Sequence, residues 1–183
     1  MKVLSAPPAS FSRSRAILIY TLLAGAVAGP VRLNCSTLAD DPGGWSKAKW
    51  GMTEAQLADA FGPANIVREP LAGGATAPGV DVEIDGRPFR AVFGLKDGKL
   101  SGVSLSPRQD KDRTAFSFQS IVDLLVEKYG RPWKSETGQM LRTVEYQWTL
   151  PTTVISVSFT TAPGLSDTAI LNLHYARRHS DPL

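Results

Sequence analysis

The order of elements in the first half of this chain recurs in the second, and that recurrence limits the folds open to it. In the first half, Thr53-Glu54-Ala55-Gln56 has the form of a capping box, in which threonine and glutamine satisfy each other's free amides. Leu57, Ala60 and Phe61 then share a helical face until Phe61-Gly62-Pro63 ends it. In the second half, Phe118, Ile121, Val122, Leu125 and Tyr129 form an apolar stripe, and Gly130 and Pro132 stop the helix. Three segments of strict alternation follow each helix. Val80, Val82 and Ile84, then Phe89, Ala91, Phe93 and Leu95, then Val103 and Leu105 mark the first set. Val144, Tyr146 and Trp148, then Ile155, Val157 and Phe159, then Ala169, Leu171, Leu173 and Tyr175 mark the second.

Gly62 to Gly130 and Val103 to Leu171 are equally spaced, which predicts a duplicated unit. The expected fold is α+β: two tandem helix-plus-antiparallel-sheet repeats, about 45–107 and 112–177, within one domain over 40–183. Helices packed on one sheet face would leave the other face wet. Between these elements, Asp40 to Gly44 reads as a flexible lead-in and Leu71 to Gly79 as a mobile glycine-rich loop. Trp45 and Trp50 are expected to pack over an open end of the core.

Residues 1–39 read as a signal peptide and leader. Lys2, Arg13 and Arg15 precede an apolar run from Ala16 to Gly29, too short for the ~20 residues that span a bilayer. Ala26-Val27-Ala28 and Thr37-Leu38-Ala39 both suit cleavage. A periplasmic or secreted address follows, with an inner-membrane anchor as the alternative. Of the 20 Lys and Arg residues, four precede Asp40, leaving 16 against 17 acids and a net charge of −1. The basic character of the whole chain therefore resides largely in the leader, and no nucleic-acid partner is expected. Cys35 is the only cysteine, so neither an internal disulfide nor a structural zinc site can form. Membrane attachment is expected only through an uncleaved leader or a lipidated Cys35.

The segment Trp50-Gly51-Met52-Thr53-Glu54-Ala55-Gln56-Leu57, with Phe61-Gly62-Pro63, resembles the repeat openings of β-lactamase inhibitor protein-like folds. Small outer-membrane assembly lipoproteins share that fold. The resemblance spans about residues 45–176. It departs from the inhibitors in lacking a cysteine pair and from the lipoproteins in the Arg32-Leu33-Asn34 that precedes Cys35. It implies protein binding in the cell envelope through an open sheet face, and it fixes no interacting residue.

Catalytic signatures are sparse. There is no Gly-x-Ser-x-Gly elbow and no His-Glu-x-x-His motif, and Asp81, Glu83 and Asp85 lack the glycine and distal glutamate of a calcium loop. His179 falls in a terminal tail. The expected function is a non-catalytic protein-binding module without cofactor or metal, whose partner is an envelope or secreted protein. The candidate binding residues on the polar sheet face are Glu83, Arg90, Glu145, Gln147, Ser158, Asn172 and His174. Two alternatives accompany this reading. One is a small hydrolase that uses His174 with a carboxylate such as Glu145. The other is a carrier that encloses an apolar ligand between Tyr146, Trp148 and the glycine-rich loop.

Overall fold

The computed structural model describes residues 40–138, 141–162 and 169–178. The leader, Cys35 and His179 lie outside the described residues. A short ribbon of β1 (Gly44–Trp45) and β2 (Ala48–Lys49) leads into α1 (Glu54–Phe61). Four strands follow: β3 (Val67–Pro70), β4 (Thr76–Ile84), β5 (Arg87–Lys96) and β6 (Lys99–Pro107). After α2 (Ala115–Tyr129) come β7 (Trp133–Thr137), β8 (Arg142–Thr149), β9 (Thr153–Thr161) and β10 (Ala169–Arg177).

These strands correct the expected architecture. The chain does not form two tandem helix-plus-sheet repeats. Strands from both halves join one antiparallel sheet of eight, in the order β3-β4-β5-β6-β10-β9-β8-β7, beside the two-stranded β1–β2 ribbon. β6 and β10 pair through its middle, with Leu173 opposite Leu105 and Tyr175 opposite Val103. The physical reason is the edge. Two separate sheets would each expose unpaired amides and carbonyls, and pairing β6 with β10 removes two such edges. The sheet dominates the described residues, and α1 is only eight residues long.

Both helices lie on the apolar face. Phe61 of α1 sits 5.3 Å from Phe93, and Trp45 stacks on Phe61 at 6.2 Å. Phe118 of α2 packs 5.8 Å from Tyr146 and 5.5 Å from Phe159. Beneath them runs the row Ala91, Leu105, Leu173, Val157 and Tyr146, one residue from each of five neighbouring strands. The first four of these are buried. Burial of a Val- to Phe-sized side chain contributes about 1.5–3 kcal/mol, so this layer carries much of the stability.

Local chemistry explains the element ends. In α1 the Thr53 amide donates to Gln56 Oε1 at 2.9 Å and the Gln56 amide donates to Thr53 Oγ1 at 3.4 Å. Thr114 caps α2 by accepting from the Ser117 amide at 3.1 Å. Asp85-Gly86 and Asp97-Gly98 both hold positive φ at each residue, as two-residue hairpin turns require.

Two segments differ from expectation. Asp41 is not part of a loose lead-in: its carboxylate accepts from the Gly43 amide, the Thr152 amide and the Thr153 hydroxyl. Trp50 Nε1 also donates to Thr153 Oγ1 at 3.0 Å, so the start of the domain is tied to the β8–β9 turn. The second part of the glycine-rich segment is strand, because Thr76 to Gly79 pair with β3. Gly79 is needed there, since a Cβ would lie 2.9 Å from the Ala91 carbonyl oxygen.

Candidate functional site

Alternation gives every strand a second face, and neither helix covers it. The register traces a line across all eight strands: Val67, Gly79, Val92, Ser104, His174, Ser156, Gln147 and Trp133. One step toward the opposite end, Asp81 faces Arg90, which faces Ser106. In the same band, Asn172 faces Ser158, Ser158 faces Glu145 and Glu145 faces Ser135. Beyond these lie Ile170, Thr160 and Thr143, with the two threonine hydroxyls hydrogen-bonded at 2.9 Å. The middle of this face is polar, with Ser104, Ser156 and Ser158 around His174 and Asn172.

The structure places all seven sequence-predicted residues on this side of the sheet, but it does not bring all of them together. His174, Gln147, Ser158, Asn172 and Glu145 cluster on β8, β9 and β10. Glu83 sits near the β4–β5 turn opposite Pro88, away from that cluster. Arg90 is engaged already. Its guanidinium pairs with Glu69 and with Asp81, the latter at 2.9 Å, and only 13% of its side chain is exposed. Arg90 thus ties β3, β4 and β5 together.

His174 occupies the centre. It keeps access to water, but its ring leans over β6: a Cβ built on Gly102 would meet Nε2 at 3.2 Å. Desolvation by the surrounding sheet lowers its pKa below the ordinary imidazole value, so the neutral ring is favoured.

The two groups of the hydrolase alternative stand on strands that are not neighbours. Ser156 and Ser158 of β9 stand between His174 and the β8 residues Gln147 and Glu145. Two strand spacings put the His174 and Glu145 backbones about 10 Å or more apart, and no hydrogen bond joins their side chains among the described residues. The carrier arrangement is separated as well. Trp148 is buried and donates Nε1–H to the Gly130 carbonyl at 2.8 Å, while four strands divide β8 from the glycine-rich β4. Among the described residues, no group of three His, Cys, Asp or Glu side chains is placed to hold a metal ion. No described helix is long and apolar enough to cross a membrane.

Sequence reasoning missed two residues at the rim of this face. Trp133 on the edge strand β7 is 63% exposed, and Ile170 on β10 is 47% exposed. The signal for Trp133 was a large apolar residue opening the otherwise polar segment Trp133 to Thr137. Aromatic residues are enriched in protein interfaces relative to the rest of the surface. No family model, curated protein or solved structure matches this chain.

Proposed function

We propose that this protein is an exported, non-catalytic binding module that docks an envelope or secreted protein on its uncovered sheet face. The observation that carries the reading is the central line from Val92 through Ser104, His174, Ser156 and Gln147 to Trp133, with both helices on the other side. A sheet face of short polar side chains costs little to desolvate when a partner supplies matching donors and acceptors. Trp133 and Ile170 supply apolar contact at its margin. The periplasmic or secreted address rests on the basic and apolar pattern of the leader. The resemblance of Trp50 to Pro63 to envelope binding proteins points the same way.

Capture from an envelope extract tests the reading, with the full chain as bait beside a Gln147→Ala/Asn172→Ala/His174→Ala/Trp133→Ala variant. The expected result is a protein retained by the wild type and lost by a variant that still folds. Identical recovery by both baits, or no recovery by either, would overturn the proposal.

A further inference from the structure

Six of the 16 basic residues that follow Asp40 meet at one end of the sheet: Lys47, Lys49, Lys96, Lys99, Arg177 and Arg178. They are far apart in sequence, and the fold gathers them. Lys96 and Lys99 flank the β5–β6 turn and pair with each other in register. Together with Arg177 at the end of β10 they line one shallow recess. The β1–β2 ribbon packs beside β10 and brings Lys47 and Lys49 to the same end. Arg178 is fixed there too, donating its amide to the Thr152 carbonyl at 2.8 Å.

All six are exposed, and none enters an ion pair among the described residues. Six of the other ten basic residues behave differently, while Lys111, Lys128, Arg131 and Arg142 also form no ion pair among the described residues. Arg68, Arg87, Arg90, Arg108, Arg113 and Lys134 are each paired with a carboxylate. Acids at this end include Asp97, which shares the recess, Glu54, which follows the Thr53 bridged to Lys99 and is paired with Arg68, and Asp41, whose carboxylate is turned inward to two amides and a hydroxyl. The near-neutral charge of the domain thus conceals a polar distribution, with an outward-facing cationic end.

We propose that this end docks on an anionic phospholipid bilayer surface. Two observations select a membrane over other polyanions. The cations are spread over the ends of β5, β6 and β10 and the β1–β2 ribbon, as a broad array of headgroups suits, and only three of them share a recess. Asp41 is pinned at this same end, so a leader left uncleaved would join the folded residues there. With the end seated on headgroups, the strands rise from the membrane by about 30 Å and the polar sheet face stays accessible. This inference is independent of the sheet-face reading, because the two surfaces share none of the residues to be altered.

The test is sedimentation of the full chain with phosphatidylcholine vesicles and with vesicles containing about one-third phosphatidylserine. The variants are Lys96→Gln/Lys99→Gln/Arg177→Gln and, as a control of equal charge, Lys111→Gln/Lys128→Gln/Arg131→Gln. The leader is present throughout, so its own binding forms a constant background. Removal of a basic residue near the surface should weaken the anionic-specific part about fivefold, on the order of a hundredfold for three. The control should retain it, and rising salt should release the wild type. If the first variant misfolds by circular dichroism, Lys47→Gln/Lys49→Gln/Arg178→Gln replaces it, with the same loss expected. Equal binding to both vesicle types, equal loss in the control, or competition by duplex DNA that fully displaces the vesicles would overturn the proposal.

Discussion

The two faces of the eight-stranded sheet are built from the same strands and read oppositely. On one, Phe89, Ala91, Phe93, Val103, Leu105, Ile155, Val157, Leu171 and Leu173 are buried under α1 and α2. On the other, Ser104, His174, Ser156, Gln147, Asn172 and Ser158 meet no helix. The packed face explains why the chain folds, because burial of apolar area is the dominant favourable term. The open face contributes little to that, so its composition is free to serve recognition. On the proposed reading, the difference separates stability from recognition along β8, β9 and β10, whereas Arg90 on the same face also ties strands together.

The largest expected effect tests the packed side. Phe93→Ala should lower folding stability by about 3–5 kcal/mol, since a fully buried ring between Phe61 and Trp45 is lost. Denaturant unfolding monitored by tryptophan fluorescence checks this, and a loss below 1 kcal/mol would break the assignment of that face as the core.

A smaller effect is expected at the clamp that joins the domain start to the sheet. Partial burial pushes the Asp41 pKa up, but hydrogen bonds from the Gly43 and Thr152 amides and the Thr153 and Thr152 hydroxyls outweigh it, leaving a lowered value. A depressed carboxylate stabilises the fold above its unfolded pKa, and that contribution is lost as pH falls through the folded value. Asp41→Asn should therefore lower stability at neutral pH, by no more than about 1 kcal/mol because solvent screens a partly exposed carboxylate, and the difference should shrink in acid. Unfolding curves for both proteins across the acid range should converge, and a constant gap at every pH would remove the charge from the account.

How much of this was legible beforehand depends on the range of the signal. Individual strands and helix caps were readable because alternation, Thr53 with Gln56, and the Asp-Gly turns are local. The pairing of β6 with β10 was not. Both are alternating strands in sequence, and nothing in Leu105 names Leu173 as its partner. The same limit hid the basic end, where Lys49, Lys96 and Arg177 lie in three distant segments. Thr76 to Gly79 was misread because glycine and proline usually mark loops, whereas here Gly79 permits close approach of strands. The polar face itself was foreseeable from alternation. That Arg90 is held by Glu69 and Asp81 was not, since Glu69 belongs to a strand whose pairing only the fold reveals.

The open face should show the converse of the Phe93 result. Gln147→Ala/Asn172→Ala/His174→Ala is expected to change stability by no more than about 1 kcal/mol while removing partner binding. Thermal unfolding beside the capture assay measures both, and a strongly destabilised variant would show that this face also holds the fold together. The smallest effect concerns His174 alone. Its NMR titration midpoint should fall below about 6.5 because the sheet desolvates the charged ring. With a depressed folded pKa, its contribution to stability is present above the unfolded value and lost as pH falls through the folded one. An unshifted midpoint would mean the ring does not lie against Gly102.

The most direct test of the central claim places a photo-crosslinking amino acid at Ser156, in the middle of the open face, and separately at Gln119, on the exposed side of α2. Irradiation in the intact envelope should yield a protein adduct from Ser156 and none from Gln119. Adducts from Gln119 alone, or from neither position, would contradict the assignment of the open sheet face as the docking surface.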